Sequence, residues 1–309
     1  MAKNRALPFA AITFVMIVWG LSFLSIKVSV AVLGPMTLAL SRFVIASVML
    51  LFILKIKEPD AKLNRVDLPR MAFSGIIGIT LYFFFENNGV RLSTASTASI
   101  IIATIPVLAV LADFIFCGNR ITWPKALGVV LSFLGIYLIF RDRGELSFAS
   151  EYFLGNLSML GAAAAWVAYN LLTRPMAKRY SNLAITTYQT LFGTLAIVPF
   201  VFFESNKWAS VNWVVAGNVL FLGVFCSAIG YYFYVYAMGE IGVGMASLFI
   251  NLIPVVTVIA SYFIIGEKIT HTQLAGGGLV VFAVYLTDIG TWFKKGFRVI
   301  LAGINRNAA

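Results

Sequence analysis

Long apolar runs separated by short polar breaks recur along the whole chain, and their length is the first quantity to read. A helix rises about 1.5 Å per residue, so about 20 mostly apolar residues cross the hydrocarbon core of a bilayer. Ten runs reach that length, approximately 9–31, 35–54, 68–88, 94–116, 123–140, 153–173, 183–203, 213–237, 242–265 and 272–292. The pattern predicts an all-α polytopic membrane protein with ten transmembrane helices. In lipid a helix satisfies its own backbone, so no other local structure is needed to explain the runs.

The runs are written twice. TIPVLAVLADFIFCGNRIT at 104–122 returns as LIPVVTVIASYFIIGEKIT at 252–270. An offset of 148 places Pro106 on Pro254, Gly118 on Gly266, Arg120 on Lys268, Ala98-Ser99 on Ala246-Ser247, Gly128 on Gly276 and Tyr137 on Tyr285. An offset of 147 places Trp19 on Trp166 and Lys27 on Arg174. Each copy holds five helices, 9–140 in the first and 153–290 in the second. Five is odd, so the second copy enters the membrane from the opposite side. Loop charge agrees: with a cytoplasmic N-terminus, 16 of the 23 Lys and Arg fall on the inner side. The segment 55–70 carries five of them, whereas its counterpart 204–212 carries only Lys207. Cytoplasmic loops collect positive charge, so both termini are expected in the cytoplasm and the chain in an inner membrane. Two inverted five-helix repeats around a central cavity let the halves exchange conformations and open one site to either side in turn. The tail 291–309 places Phe293, Phe297, Leu301 and Ile304 near one helical face with Lys294, Lys295 and Arg298 off it. It is either an interfacial helix on the cytoplasmic leaflet or a disordered basic tail.

Composition narrows the function classes. Of 309 residues 61% are hydrophobic and 11% charged, against about 25% charged in soluble domains. The net charge of +11 is explained by inner loops meeting anionic lipid, so nucleic acid is not an expected partner. Cys117 and Cys226 lie at or near apolar runs and His271 is the single histidine, so neither a disulfide framework nor a metal cluster is indicated. No nucleotide-binding motif is present, and no cofactor is called for. An intramembrane lipid-modifying enzyme or protease is the rival class, but its acids would have to cluster, and Glu86, Asp113 and His271 are scattered along the chain.

The chain resembles the EamA-type transporters of the drug/metabolite transporter superfamily from about residue 10 to 288. The resemblance rests on Trp19 and its copy Trp166, on Arg42-Phe43 early in the second helix, on the Ala-Ser stretches leading to Pro106 and Pro254, and on Gly266-Glu267-Lys268-Ile269-Thr270. The first copy departs with Gly118-Asn119, and the second has Gln189 where the first has Arg42. The resemblance implies a fold in which helices 1–4 and 6–9 surround a cavity and helices 5 and 10 stand outside. It also implies a secondary transporter of a small molecule, here read as an exporter of an amino acid or related metabolite. The alternative is a multidrug or other metabolite carrier or facilitator.

Polar and ionisable groups inside a bilayer cost at least a few kcal/mol unless they face a cavity or a partner. Trp19, Phe23 and Lys27 share one face of the first helix, as do Trp166, Asn170 and Arg174 on the sixth, and both faces should meet the cavity. Lys27 and Arg174 are read as gating groups, with headgroup snorkelling as the other reading of Lys27. Arg42 lies about 10 Å inside the outer boundary. Glu86 is a neutralising partner or a proton carrier, with Tyr82 one turn below it; protons are the candidate coupling ion. Lys27, Arg42 and Glu86 together leave a positive excess suited to a carboxylate or phosphate, unless they form a structural ion pair. The second half offers Gln189, Asn251 and two tyrosine pairs, Tyr232 with Tyr236 and Tyr231 with Tyr234, of which one lines the cavity; Tyr232 is the candidate contact. Pro106 and Pro254 interrupt the backbone bonds of helices 4 and 9, as bending points for gating or as static kinks.

Overall fold

The computed structural model describes residues 6–141 and 150–286; the expected tail 291–309 lies outside them. Ten helices follow one another: α1 Ala6–Ser29, α2 Pro35–Lys57, α3 Leu68–Leu92, α4 Ala95–Phe116, α5 Trp123–Arg141, α6 Glu151–Thr173, α7 Asn182–Val201, α8 Trp213–Ile241, α9 and α10. α9 consists of Val243–Phe249 and Leu252–Ile265, and α10 is His271–Leu286. Among the described residues there is no strand. Seven helices, α1 to α5, α7 and α8, are long and apolar enough to cross a membrane. Their outer faces carry exposed apolar side chains such as Val48, Phe52 and Phe133.

The same irregularities recur in both halves. α3 contains a π-helical segment, Ile76–Leu81, and α8 contains another, Leu222–Ile229. α4 and α9 are each broken in the middle. Pro106 has no N–H, and its ring crowds the carbonyl four residues back, so the helix stops at Ala103-Thr104 and restarts at Ile105. Around the break Thr104 N–H donates to the Ile101 carbonyl at 3.0 Å, a three-residue spacing. α9 stops at Ile250-Asn251, where Asn251 N–H reaches the Leu248 carbonyl at 3.2 Å. The prolines thus sit second and third in restarted half-helices, at the interruptions expected from sequence in the middle of helices 4 and 9. Both half-helices end on a left-handed glycine, Gly118 at φ 67° and Gly266 at φ 68°, where a side chain would clash with the backbone.

Packing between the halves is reciprocal. α2 packs on α7 and α8, and α7 on α2 and α3; α1 packs on α8 and α9, and α6 on α3 and α4. α2 and α7 run antiparallel, as their ends show. The Glu204 carboxylate, just past α7, accepts from Met36 N–H at 2.8 Å, Thr37 N–H at 2.7 Å and Thr37 Oγ1 at 2.9 Å at the start of α2. At the other end Glu58, just past α2, accepts from Ser181, which caps the start of α7. Carboxylates at helix N-termini satisfy free backbone donors and oppose the helix dipole. Glu267 does the same for α4, accepting from Ala95 N–H and Ser96 N–H, each at 3.0 Å. The basic segments 55–70 and 174–180 meet at one end of the bundle. There Asp67 pairs with Arg179 at 2.6 Å and accepts from the Tyr180 hydroxyl at 2.6 Å.

Candidate central cavity

A cavity lies between the halves. α1 contributes Trp19, Ser22 and Phe23, α2 contributes Arg42, and α3 contributes Tyr82, Phe83 and Glu86. From the second half come Trp166 and Tyr231. The remaining walls are four isoleucines in two equivalent pairs, Ile102 and Ile105 across the α4 break and Ile250 and Ile253 across the α9 break. Among the described residues, none of α5 or α10 lines it.

Its centre is an aromatic cluster. The rings of Trp19 and Trp166 meet edge to face, centroids 5.3 Å apart at 89°. Tyr82 lies 5.1 Å from Trp166 and Tyr231 lies 5.7 Å from each tryptophan. Such contacts add about 0.5–1.5 kcal/mol beyond burial and fix ring orientation. The π-helical segments hold this cluster. A π turn leaves carbonyls without an i→i+4 partner and so open to side chains. Trp19 Nε1–H donates to the Cys226 carbonyl at 2.9 Å, and the Tyr231 hydroxyl donates to the Gly78 carbonyl at 3.2 Å. Gly78 and Cys226 are equivalent at the offset of 148.

Two opposite charges face this apolar space. Arg42 is 2% exposed; its Nε donates to Ser227 Oγ at 2.9 Å, and its guanidinium lies 4.5 Å from the Phe83 ring centre and 5.4 Å from that of Phe43. One terminal nitrogen, NH1, is buried without a partner. Leaving such a donor unsatisfied costs about 1–3 kcal/mol, which an incoming anionic group would recover. Glu86 is 4% exposed and accepts from the Tyr82 hydroxyl at 2.7 Å. No ion pair joins these two described residues.

Other candidates sit elsewhere. Lys27 is turned away from the cavity: its Nζ donates to the carbonyls of Val90 at 2.9 Å, Arg91 at 3.1 Å and Ser93, the C-terminal end of α3. A cation there meets the negative end of the helix dipole, which makes Lys27 a helix clamp rather than a second cavity charge. Gln189 is consumed by a buried network: its Nε2 donates to Ser74 at 2.7 Å and Thr173 at 2.9 Å, and its Oε1 accepts from Tyr169 at 3.1 Å. Asn170 accepts from Tyr234 at 3.3 Å behind the cavity wall. Arg174 is exposed just past α6. Tyr232 is half-buried with its ring 5.7 Å from that of Phe233, while Tyr231 takes the cavity position. Asn251 forms the α9 break, its Oδ1 buried and unpartnered. Pro106 and Pro254 are buried behind the lining isoleucines. Sequence reasoning passed over those isoleucines, although Ile102 and Ile105 return as Ile250 and Ile253 at the same offset beside the prolines. Ser227 carries no such signal.

Two repeated bundles around a cavity with buried opposite charges define a membrane carrier architecture. The chain belongs to the EamA-like transporter family, whose pattern it matches twice, over residues 8–141 and 153–288. It is 30% identical over 268 residues to an uncharacterized transporter of Archaeoglobus fulgidus, covering 87% of this chain and 94% of the relative. It is 28% identical over 288 residues to a probable terminal-alkyne amino-acid exporter of Streptantibioticus cattleyicolor, covering 92% and 94%. A solved crystal structure shares the fold with a TM-score of 0.67 at 18% identity, covering 93% of this chain and 98% of that one.

Proposed function

We propose that this membrane transporter exports a zwitterionic amino acid, or a closely related small metabolite, through alternating access in an inner membrane. The observation that carries the reading is Arg42, which lines the cavity together with Glu86 and has a buried terminal nitrogen without a partner. With Lys27 bound to α3, the cavity keeps one guanidinium and one carboxyl group rather than a positive excess. Arg42 suits a carboxylate and Glu86 an ammonium, while the tryptophans and isoleucines suit an apolar side chain. The Streptantibioticus relative, named a probable amino-acid exporter, supports the same substrate class.

The transport cycle uses ten spans in two inverted repeats, with both termini cytoplasmic. The antiparallel course of the equivalent helices α2 and α7 and the meeting of the two basic segments at one end support this topology. Energy comes from a substrate or ion gradient, with Glu86 as the proton carrier where protons are coupled. The test is uptake of labelled neutral amino acids into proteoliposomes holding the purified chain, with and without a pH gradient. Uptake above that of empty liposomes is expected, and gradient stimulation lost in Glu86→Gln identifies proton coupling. Folded protein that moves none of them overturns the substrate assignment.

A further inference from the structure

Arg42 and Glu86 line one cavity of low polarity, where opposite charges attract far more strongly than in water, yet they do not pair. Each is instead tied to a neutral neighbour. Ser227 Oγ accepts from Arg42 Nε at 2.9 Å, and the Tyr82 hydroxyl donates to Glu86 Oε1 at 2.7 Å. Both tethers belong to the π-helical irregularities: Ser227 lies within the α8 segment and Tyr82 follows directly on the α3 segment. The Phe83 ring, 4.5 Å from the guanidinium carbon, adds a flat support for the same orientation.

We propose that Ser227 and Tyr82 are positioning residues that hold the two cavity charges apart, so that each remains available to one end of a zwitterion. The inference rests on the substrate reading above. Ser227 is 1% exposed and reaches Arg42 from the opposite half of the molecule. Without it, Nε loses its acceptor and Glu86 becomes the nearest anionic group lining the cavity that Arg42 can turn to. The site then closes on itself and the ligand must break an internal ion pair before it binds. Because the tether crosses between halves, movement of α8 relative to α2 during transport would also loosen the hold on the substrate.

The experiment has two arms on the full chain. Binding of labelled L-leucine is measured by scintillation proximity on proteoliposomes for the wild type, Ser227→Ala, Ser227→Thr and Tyr82→Phe. Ser227→Ala and Tyr82→Phe should each raise the Kd about 10- to 100-fold, and Ser227→Thr, which keeps the hydroxyl, should restore it. The second arm needs no ligand: Arg42→Gln and Glu86→Gln are combined in a double-mutant cycle on the melting temperature in detergent, once in the wild-type background and once in the Ser227→Ala background. The two substitutions should couple clearly more strongly in the second background, where the charges pair, than in the first. Equal coupling in both backgrounds overturns the proposal. If the wild type binds no leucine while coupling is stronger in the Ser227→Ala background, the charge separation stands and the zwitterion reading falls.

Discussion

Replacing Arg42 by methionine separates a binding role from a packing role. The substitution removes the bond to Ser227, worth about 1.5–3 kcal/mol for a charged donor, and ring contacts worth about 0.5–2 kcal/mol. It also removes a buried N–H without a partner, a cost of about 1–3 kcal/mol, and the desolvation of a cation, which is several kcal/mol more. With Glu86 neutralised by a proton once its cation is gone, these contributions nearly cancel, or favour methionine, which fills much of the same volume. Arg42→Met should therefore keep its folded yield and melt within a few degrees of the wild type, or above it. Binding should collapse, since truncating one member of a buried charge pair costs about 2–5 kcal/mol, or at least about 30-fold in Kd. Fluorescence-detected size exclusion after heating gives the first quantity and leucine binding to proteoliposomes the second. A variant that loses several kcal/mol of stability while binding leucine normally would make Arg42 a structural group rather than a binding one.

Glu204→Gln and Glu267→Gln should each lower stability by about 1 kcal/mol, read as a fall in melting temperature, because each carboxylate accepts backbone donors at a helix start. Gly276→Val should be more damaging, since a Cβ there would lie 2.7 Å from the Gly135 carbonyl where α5 meets α10; Gly278→Ala, with open space around it, should melt like the wild type. Topology is checked with single cysteines in a chain whose own two cysteines are replaced. An impermeant maleimide should label Lys207→Cys on intact cells and Lys62→Cys only after permeabilisation, and labelling of both from one side would refute inversion.

The repeat, the helices and the aromatic heart of the cavity were legible because they depend on spacing alone. Trp19 and Trp166, at matching positions in the two copies, do meet each other. What spacing could not supply was the behaviour of groups whose partners come from elsewhere in the fold. Lys27 sits on the same face as Trp19 by count, but its three carbonyl acceptors belong to the end of α3. The tyrosines of α8 were ambiguous for a different reason. The π-helical segment Leu222–Ile229 ends one residue before the helix that carries Tyr231 resumes its regular turn, and an inserted π turn shifts the phase of the following helix by about 100°. A count at 3.6 residues per turn therefore cannot say which tyrosine pair faces inward. Proline composition marked where α4 and α9 are interrupted, but the half-helices it starts are visible only in the backbone bonds.

The scaffold is doubled, whereas the charged part of the cavity is not. At the repeat offsets Gln189 stands for Arg42 and Tyr234 for Glu86, and both are already satisfied within the fold, Gln189 by Ser74, Thr173 and Tyr169 and Tyr234 by Asn170. On the proposed reading, walls shared between the halves would let the cavity open toward either side, while charges confined to α2 and α3 would hold a zwitterion in one orientation throughout. Moving the arginine should consequently fail. Arg42→Gln combined with Gln189→Arg would place a cation in the pocket of Ser74, Thr173 and Tyr169, which holds no carboxylate and does not line the cavity. Leucine binding should be no better than in Arg42→Gln alone, and stability, read as a fall in melting temperature, should drop by the cost of an unpaired buried charge, about 3–5 kcal/mol. Recovery of binding in the exchanged protein would mean that the two halves contribute equivalent substrate positions, and the fixed orientation would have to be abandoned.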